Sequence, residues 1–544
     1  MFDFKLEGGT PNVTNTIWSR LPSQGLSAGV LTPFSGSVVS EIIGRAAVAY
    51  YDRLGVEPPK RSAMTRHDRG HVYVNLSAMA QWEAASARVQ PPVLRFNGEL
   101  VPLAEVDRGG LLGGFRSGRT QKKIDALLDE IGQHIDSASR AASFWLQQVR
   151  SRQWTQADVL QVMEEIERTA VDSMVAYLAA RYNLDLHYNR LIVDLLPSSG
   201  YPASLSIING ALNDVGSLVE LGLATSLIEL AGQMNEGGAA HRPILGWLRQ
   251  DSFEKWESTA PDPETASGLS AFLAIYGHRS VGEAEMARPR WYEDPVPVMR
   301  GLLGIIERQA KAPTRTPSAQ NVQRLLDSVD ESVAKTIPDT VARMRMLHHL
   351  QSHALHALAY VWAGTREWAK AAAHEAVVDG RLQHEEDVYF FELEEIKQMM
   401  TGEWNVSDLD GIRCTVEERK RDHDTWVGAD SPPVLVDDRP AWPVQFGLPG
   451  GSGQVTAPLR RLSDVHANSC KGAILGTEHL DSGWALALPV ADGFAAATGT
   501  PVDACVAAAR TWHRPTVVGL GKVYDGLVEG AQTALDGDSG LVDQ

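Results

Sequence analysis

Residues 499–519 read GTPVDACVAAARTWHRPTVVG. The stretch opens on a glycine turn and runs through an Ala-rich helical piece at about 502–512. It breaks at Pro515 and closes on a short apolar run. The same alternation continues on both sides. GAILG (472–476), WALALPV (484–490) and RPTVVGLG (514–521) are short apolar runs between Gly-rich turns, and a second Ala-rich helical piece is expected at about 525–534. Short buried strands alternating with helices predict a compact α/β domain over 447–544. Upstream, GADSPPVLVDDRPAWP (428–443) has four prolines and little periodicity. It reads as part of an interdomain linker, 426–446.

Everything before that linker, residues 1–425, reads as one mainly α-helical domain. Residues 1–40 are rich in Gly, Pro, Ser and Thr and predict loop with short ordered pieces. HVYVNLSAM (71–79) alternates like a short strand or extended turn. From about 119 to 235 the pattern is helical, with Ile124, Leu127, Leu128 and Ile131 spaced to share one face. SGRT (117–120) is expected to cap the first helix, and TQAD (155–158) to open another with a carboxylate in its first turn. Asn209–Ala231 predicts a further helix. A long one is expected from about 318 to 378, stopping at Gly380 as a C-terminal glycine cap. HEEDVYFFELEEIKQMM (384–400) predicts a short apolar run before another helix.

The composition narrows the function classes. The chain has 544 residues, 44% hydrophobic and 22% charged, which fits about three to four globular domains. Lys and Arg number 50 against 68 Asp and Glu, a net charge of -18. Such a surface repels phosphate backbones and acidic lipid, so neither nucleic acid nor membrane is expected as a partner. The three cysteines, Cys414, Cys470 and Cys505, form no CxxC pair, so no thiolate metal site is expected. With no signal-like N-terminus and no membrane-spanning run, a cytoplasmic location is expected.

Four segments together resemble the phosphoenolpyruvate synthase and rifampicin phosphotransferase family. WSRLPSQGLSAGVLTPFSGSV (18–38) resembles the start of its central helical domain. YGHRSVGEAEMARPRWYEDP (276–295) resembles its YGxRxxGExDxxxPRW block. GRLQHEEDVYFFELEEI (380–396) resembles its EDVFYLTxxE block. Residues 499–519 resemble the GGxxSHxAIxARExGIPAVVG motif of its swivelling phosphohistidine domain. The resemblance implies a multidomain fold, a mainly α-helical substrate-binding domain followed by a small α/β swivel-like domain. Family enzymes add an ATP-grasp domain, which no segment here resembles. In the ungapped swivel match Arg510 falls on the motif's Arg and Pro515 on its Pro. The motif's Ser falls on Asp503, however, and its phosphate-carrying His on Ala504. A methyl group has no nucleophilic nitrogen, so position 504 is a degenerate carrier position. His513 lies on the far side of the helical piece. The family's YREYPK-like stretch falls near Gln351 and Leu355, while TREWAK (365–370) looks similar but sits closer to Gly380.

Two constellations carry chemistry. MLHHLQSHALHALAY (346–360) places His349, His353 and His356 on one helix face. Histidines there suit acid–base work near neutral pH. They suit a metal less well, because three turns of one helix spread the ligands along the axis. In the 276–295 block His278, Arg279, Glu283, Glu285, Arg288 and Arg290 mix both signs of charge, either as a pocket or as an ion-pair network. The catalytic candidates are His349, His353, Glu283 and Arg279. The substrate-binding candidates are His278, Glu285, His356 and Gln351. No cofactor and no metal are expected. The function expected is a non-phosphorylating enzyme of natural-product metabolism, acting on a bulky, apolar, hydroxylated small molecule. Elimination or dehydration, cyclisation and isomerisation are the reaction classes. The alternative is an inactive binding or acceptor subunit working with a separate ATP-grasp phosphotransferase.

Overall fold

The computed structural model describes residues 3–26, 29–85, 93–105, 110–236, 241–250, 253, 255–314, 319–401, 409–427, 429–444, 447–463 and 470–544. The chain divides into two compact units, each built from three separate stretches. The first comprises Met1–Tyr182, Glu283–Arg288 and His353–Gln445. The second comprises Asn183–Gly282, Pro289–Ser352 and Phe446–Gln544. This division differs from a helical domain, a linker and a C-terminal domain in sequence order.

The first unit holds an eight-stranded sheet of β1 (Asp3–Leu6), β2 (Ile17–Ser19), β3 (Thr65–Asp68), β4 (His71–Asn75), β5 (Val93–Phe96), β6 (Glu99–Pro102), β7 (Val434–Val436) and β8 (Arg439–Pro443). Their order is β3-β4-β2-β7-β8-β1-β5-β6. The segment expected as linker is therefore a hairpin inside a sheet. Val434 and Val436 are fully buried, and β7 pairs antiparallel with β2 across Ile17↔Val436 and Ser19↔Val434. Asp437 and Asp438 both take positive φ and close the two-residue turn. The Asp437 carboxylate accepts from the Thr16 amide at 2.7 Å and from Asn15, bonds that hold it below the usual carboxylate range. Around this sheet lie the helices Pro33–Arg53, Gly110–Ser151 and the first part of Gln156–Ser199.

Several helix boundaries follow the expected signals. Thr155 and Asp158 cap each other reciprocally, the Asp158 amide donating to Thr155 Oγ1 at 3.3 Å and the Thr155 amide to Asp158 Oδ2 at 3.0 Å. The helix Ile337–Val378 stops before Gly380, whose φ is +72° and whose amide donates to Val377 O. Others do not follow. SGRT lies inside Gly110–Ser151. The helices expected over 209–231 and 318–378 are each interrupted, as Tyr201–Ala211 and Val219–Glu236, and as Ala319–Asp327, Glu331–Ala334 and Ile337–Val378. Residues 315–318 lie outside the described residues. Residues 1–40, expected as loop with short ordered pieces, contain the short strands β1 and β2, but also the start of the long Pro33–Arg53 helix.

The second unit contains the C-terminal sheet of β9 (Leu448–Gly451), β10 (Gln454–Arg461), β11 (Ile474–Thr477), β12 (Gly493–Ala496), β13 (Thr516–Val518), β14 (Gln532–Asp536) and β15 (Leu541–Asp543). The order is β15-β14-β10-β11-β12-β13-β9. Strands β10 to β13 run parallel, and β9 and β14 are antiparallel. Leu459, Ile474, Ala495, Val517 and Leu535 form its apolar centre. The helix Ala504–Thr511 connects β12 to β13 as expected. Of the piece expected as helix at 525–534, only the last three residues are strand β14 and most of the rest is turn or irregular chain, and WALALPV is largely a 3-10 helix, Ser482–Ala487.

This sheet is pinned to helices of the same unit. The Arg510 guanidinium is buried and donates to Leu212 O at 3.3 Å, Asn209 Oδ1 at 3.3 Å, Gly450 O at 3.0 Å and Pro501 O at 3.0 Å. Burial pushes its pKa down to about 10. Asn209 Nδ2 donates to Pro449 O at 2.7 Å, and Arg308 reaches Val490 O and the Asp492 carboxylate.

Candidate functional site

Strands β11, β12 and β13 are parallel, so their carboxyl ends meet at one edge of the sheet. That is the edge where open α/β sheets place ligands. The loop after β11 brings His479 and Asp481 there, and the loop after β12 brings Thr498, Thr500 and Asp503. Ala504, 3% exposed, begins the helix Ala504–Thr511, so the carrier position presents only a methyl group. Asp503 is 1% exposed and does not cap that helix. It turns back, taking the Thr500 amide on Oδ2 at 2.7 Å and Thr500 Oγ1 on Oδ1 at 3.0 Å. His513 is exposed, at φ +56°, after the same helix.

A buried charged cluster continues from here. Glu220, in the first turn of Val219–Glu236, has no exposed surface and accepts from Ser352 Oγ and Ser482 Oγ, both at 2.6 Å. Asp481 accepts from the Gly483 amide on Oδ1 and the Gly282 amide on Oδ2, both at 2.8 Å. Arg279 is fully buried, its backbone fixed by Arg279 N to Tyr276 O and Trp291 N to Arg279 O, both at 3.0 Å. Burial pushes the Cys505 thiol well up. Glu220, Asp481 and Asp503 push the same way, and Arg279 opposes them. Cys505 is thus a protonated, inert thiol. Three carboxylates and one guanidinium stand within electrostatic reach of one sulfur.

The residues picked from the sequence separate. Arg279 belongs to this cluster, and His278 is buried in the same unit. Glu283 and Glu285 belong to the first unit. Glu285, expected as a substrate ligand, is hydrogen-bonded within its own unit. It accepts from the Thr32 amide at 2.7 Å, Thr32 Oγ1 at 3.0 Å, Ser35 Oγ at 2.8 Å and the Ala287 amide at 2.8 Å. It buttresses the start of the Pro33–Arg53 helix, where a negative charge is favoured. Arg366, from TREWAK, holds the same block by donating to Met286 O, Ala287 O and Tyr389 Oη.

The histidine face also resolves into local contacts. His349 and Gln351 lie in the second unit, and His353 and His356 in the first. His349 Nδ1 is 2.8 Å from Ser217 O, His353 Nδ1 is 3.5 Å from Asp136, and the His356 ring packs on Tyr360. Gln351 is buried, and so is His348. Among the described residues no three His, Cys, Asp or Glu side chains are placed to hold a metal ion, and no helix is long and apolar enough to cross a membrane. Glu220, His479 and Asp481 carried no periodic or motif signal. Each is a single polar residue outside every quoted motif, and only the fold positions them.

Residues 195–367 match the family model of the rifampicin phosphotransferase fourth domain, and residues 470–540 that of the mobile domain of PEP-utilising enzymes. A rifampicin phosphotransferase of Streptomyces sviceus is 22% identical over 348 residues, covering 60% of this chain and 39% of that protein. One from Bacillus cereus is 22% identical over 308 residues, 51% of this chain and 34% of that protein. The prodigiosin synthesizing transferase PigC of Serratia marcescens is 23% identical over 309 residues, 52% of this chain and 34% of that protein. The matched region thus spans a little over a third of these relatives' lengths. Together they support a specialised-metabolism scaffold.

Proposed function

The chain belongs to the PEP-utilising, rifampicin phosphotransferase family, and on that premise we propose that it is a non-phosphorylating enzyme of specialised metabolism. Its substrate is a bulky, largely apolar, hydroxylated small molecule, and the relatives named for rifampicin and prodigiosin support a role in specialised metabolism. The reaction is an acid–base one: elimination, cyclisation or isomerisation. The observation that carries this reading is the replacement at the sheet edge. A buried methyl stands where a phosphate carrier would be, beside a buried set of ionisable groups that supplies acid–base chemistry in its place.

The physics supports the exchange. Phosphohistidine chemistry needs a nucleophilic nitrogen that travels between sites. Position 504 has none, and the Arg510 bonds tie the sheet to its own unit. Burying Glu220, Asp503 and Arg279 is costly for stability alone, and such clusters concentrate at functional sites. In a dry setting a guanidinium such as Arg279 stabilises an oxyanion far better than it does in water. A nearby carboxylate or imidazole moves the proton.

The test is incubation of the purified protein with an extract of its source cells, followed by native mass spectrometry. A bound small molecule that wild type converts, and that Arg279→Ala converts about 100-fold more slowly, supports the reading. Label arriving on this chain or its ligand from γ-labelled ATP overturns it. Capture of an ATP-grasp protein without any small molecule favours the acceptor-subunit alternative.

A further inference from the structure

His479 belongs to none of the motifs, yet its ring stands against Gly499, five residues before the degenerate carrier position Ala504. It lies two residues beyond β11, is 4% exposed, and faces the loop that leads into Ala504. Its Nδ1 lies 3.3 Å from Thr498 Oγ1. That hydroxyl already donates its proton to Glu478 O at 2.9 Å. What it offers the ring is a lone pair, so Nδ1 carries the hydrogen and Nε2 is the basic nitrogen.

Gly499 shows what else stands on the Nδ1 side. A Cβ at this position would lie 3.4 Å from both Nδ1 and Cε1 of His479 and 3.0 Å from Asp503 Oδ2. Ring and carboxylate thus converge on a notch one methyl wide, which only glycine leaves open. The φ of +109° also suits glycine alone. Asp503 is held in this orientation by both bonds from Thr500. A carboxylate and a hydroxyl on the Nδ1 side, with a basic Nε2 opposite, is the arrangement that orients an imidazole for general-base work.

We propose that His479 is the general base of this site, positioned by Asp503 and Thr498, for an uncharged carbonyl-bearing substrate. The proposal rests on the non-phosphorylating reading and names the group that moves the proton. Glu220, Asp481 and Asp503 make the surroundings unwelcoming to a phosphate ester. The simplest balanced step is a proton shift. Nε2 takes a proton from the carbon beside the carbonyl, and the C–H electron pair moves into an enolate. In a β,γ-unsaturated carbonyl compound that enolate is a dienolate, and the imidazolium returns the same proton at its γ-carbon, which leaves the conjugated isomer and consumes no co-reactant.

Two measurements test this. The first needs no substrate. In uniformly 15N-labelled full-length protein, with the resonance assigned by its loss in His479→Gln, two-bond 1H–15N spectra are expected to show the Nδ1–H tautomer. Asp503→Asn and Thr498→Val are expected to shift that tautomer balance. An Nε2–H tautomer in wild type, or a ring insensitive to both substitutions, overturns the positioning. The second uses whatever compound the wild-type protein captures from extract. His479→Gln is expected to retain capture and to convert it about 100-fold more slowly, with Asp503→Asn between the two. Conversion by His479→Gln at the wild-type rate overturns the proposal even if the spectrum agrees. If wild type converts nothing, the non-phosphorylating reading fails, while the spectrum still decides the pair.

Discussion

Two carboxylates stand at the starts of two helices in this chain, and they are used differently. Glu285, in the first unit, meets the start of the Pro33–Arg53 helix and accepts four hydrogen bonds from Thr32, Ser35 and Ala287. Asp503, in the second unit, precedes Ala504–Thr511 but leaves that helix uncapped and turns toward Thr500 and the notch at Gly499. Glu285 is invested in structure, because its charge is neutralised by donors and a helix start. Asp503 stands beside an imidazole, in a site that a purely structural design would fill with apolar side chains. A charged residue in a family-like block is thus no guide to its job until its partners are counted.

The largest effect that bears on this contrast is expected at Arg510. Arg510→Met leaves Gly450 O, Pro501 O and Leu212 O without their donor, and should cost about 3–5 kcal/mol in urea denaturation. A loss under 1 kcal/mol would break the picture of a pinned sheet. Glu285→Ala should cost about 2–3 kcal/mol and leave per-molecule turnover of the folded fraction unchanged. Asp503→Asn should invert that pattern, with about 1 kcal/mol or less of stability lost and turnover sharply reduced. If both variants lose stability alike and turnover alike, the two carboxylates do the same work and the contrast is wrong.

A third expectation concerns pH in the first unit. His71 is buried beneath Arg20, whose Nη1 lies 3.3 Å from each ring nitrogen. Burial first, then Arg20 and His67, lower its pKa from 6.5 to about 2. The folded ring therefore stays neutral where the unfolded one protonates. Its contribution is whole above pH 6.5 and is lost as pH falls toward 2, at about 1.4 kcal/mol per pH unit once well below 6.5. His71→Gln should flatten the stability profile between pH 4 and 6.5 relative to wild type, and parallel profiles would refute the assignment. The smallest effect is expected at His349→Ala, about 0.5–1 kcal/mol for its contact with Ser217 O, with turnover intact. Abolished turnover there would return catalysis to the histidine face.

Much of the local structure was legible in the residues. Thr155 and Asp158 announced a helix start, Gly380 a helix stop, and the 499–519 stretch a helix between strands with Ala504 at the carrier position. The β7–β8 hairpin was not legible. Its prolines at 432, 433, 440 and 443 suggested a linker, while the partner strands β1 and β2 lie more than 400 residues earlier. Among the four histidines of 346–360, spacing defined a face but not whether it met the core, and the fully buried ring is His348.

Periodicity, caps and glycine turns are local, since each depends on residues within a few positions of one another, and the chain encodes them directly. Ala504 is also a fact of covalent chemistry that no fold can alter. The convergence of His479 and Asp503 on Gly499, the bonds of Ser352 and Ser482 to Glu220, and the capture of Glu285 by Thr32 and Ser35 bring together residues between 24 and 262 positions apart. Which charges end up paired, and which stand ready for chemistry, depends on burial and distance. Those exist only once the chain has packed.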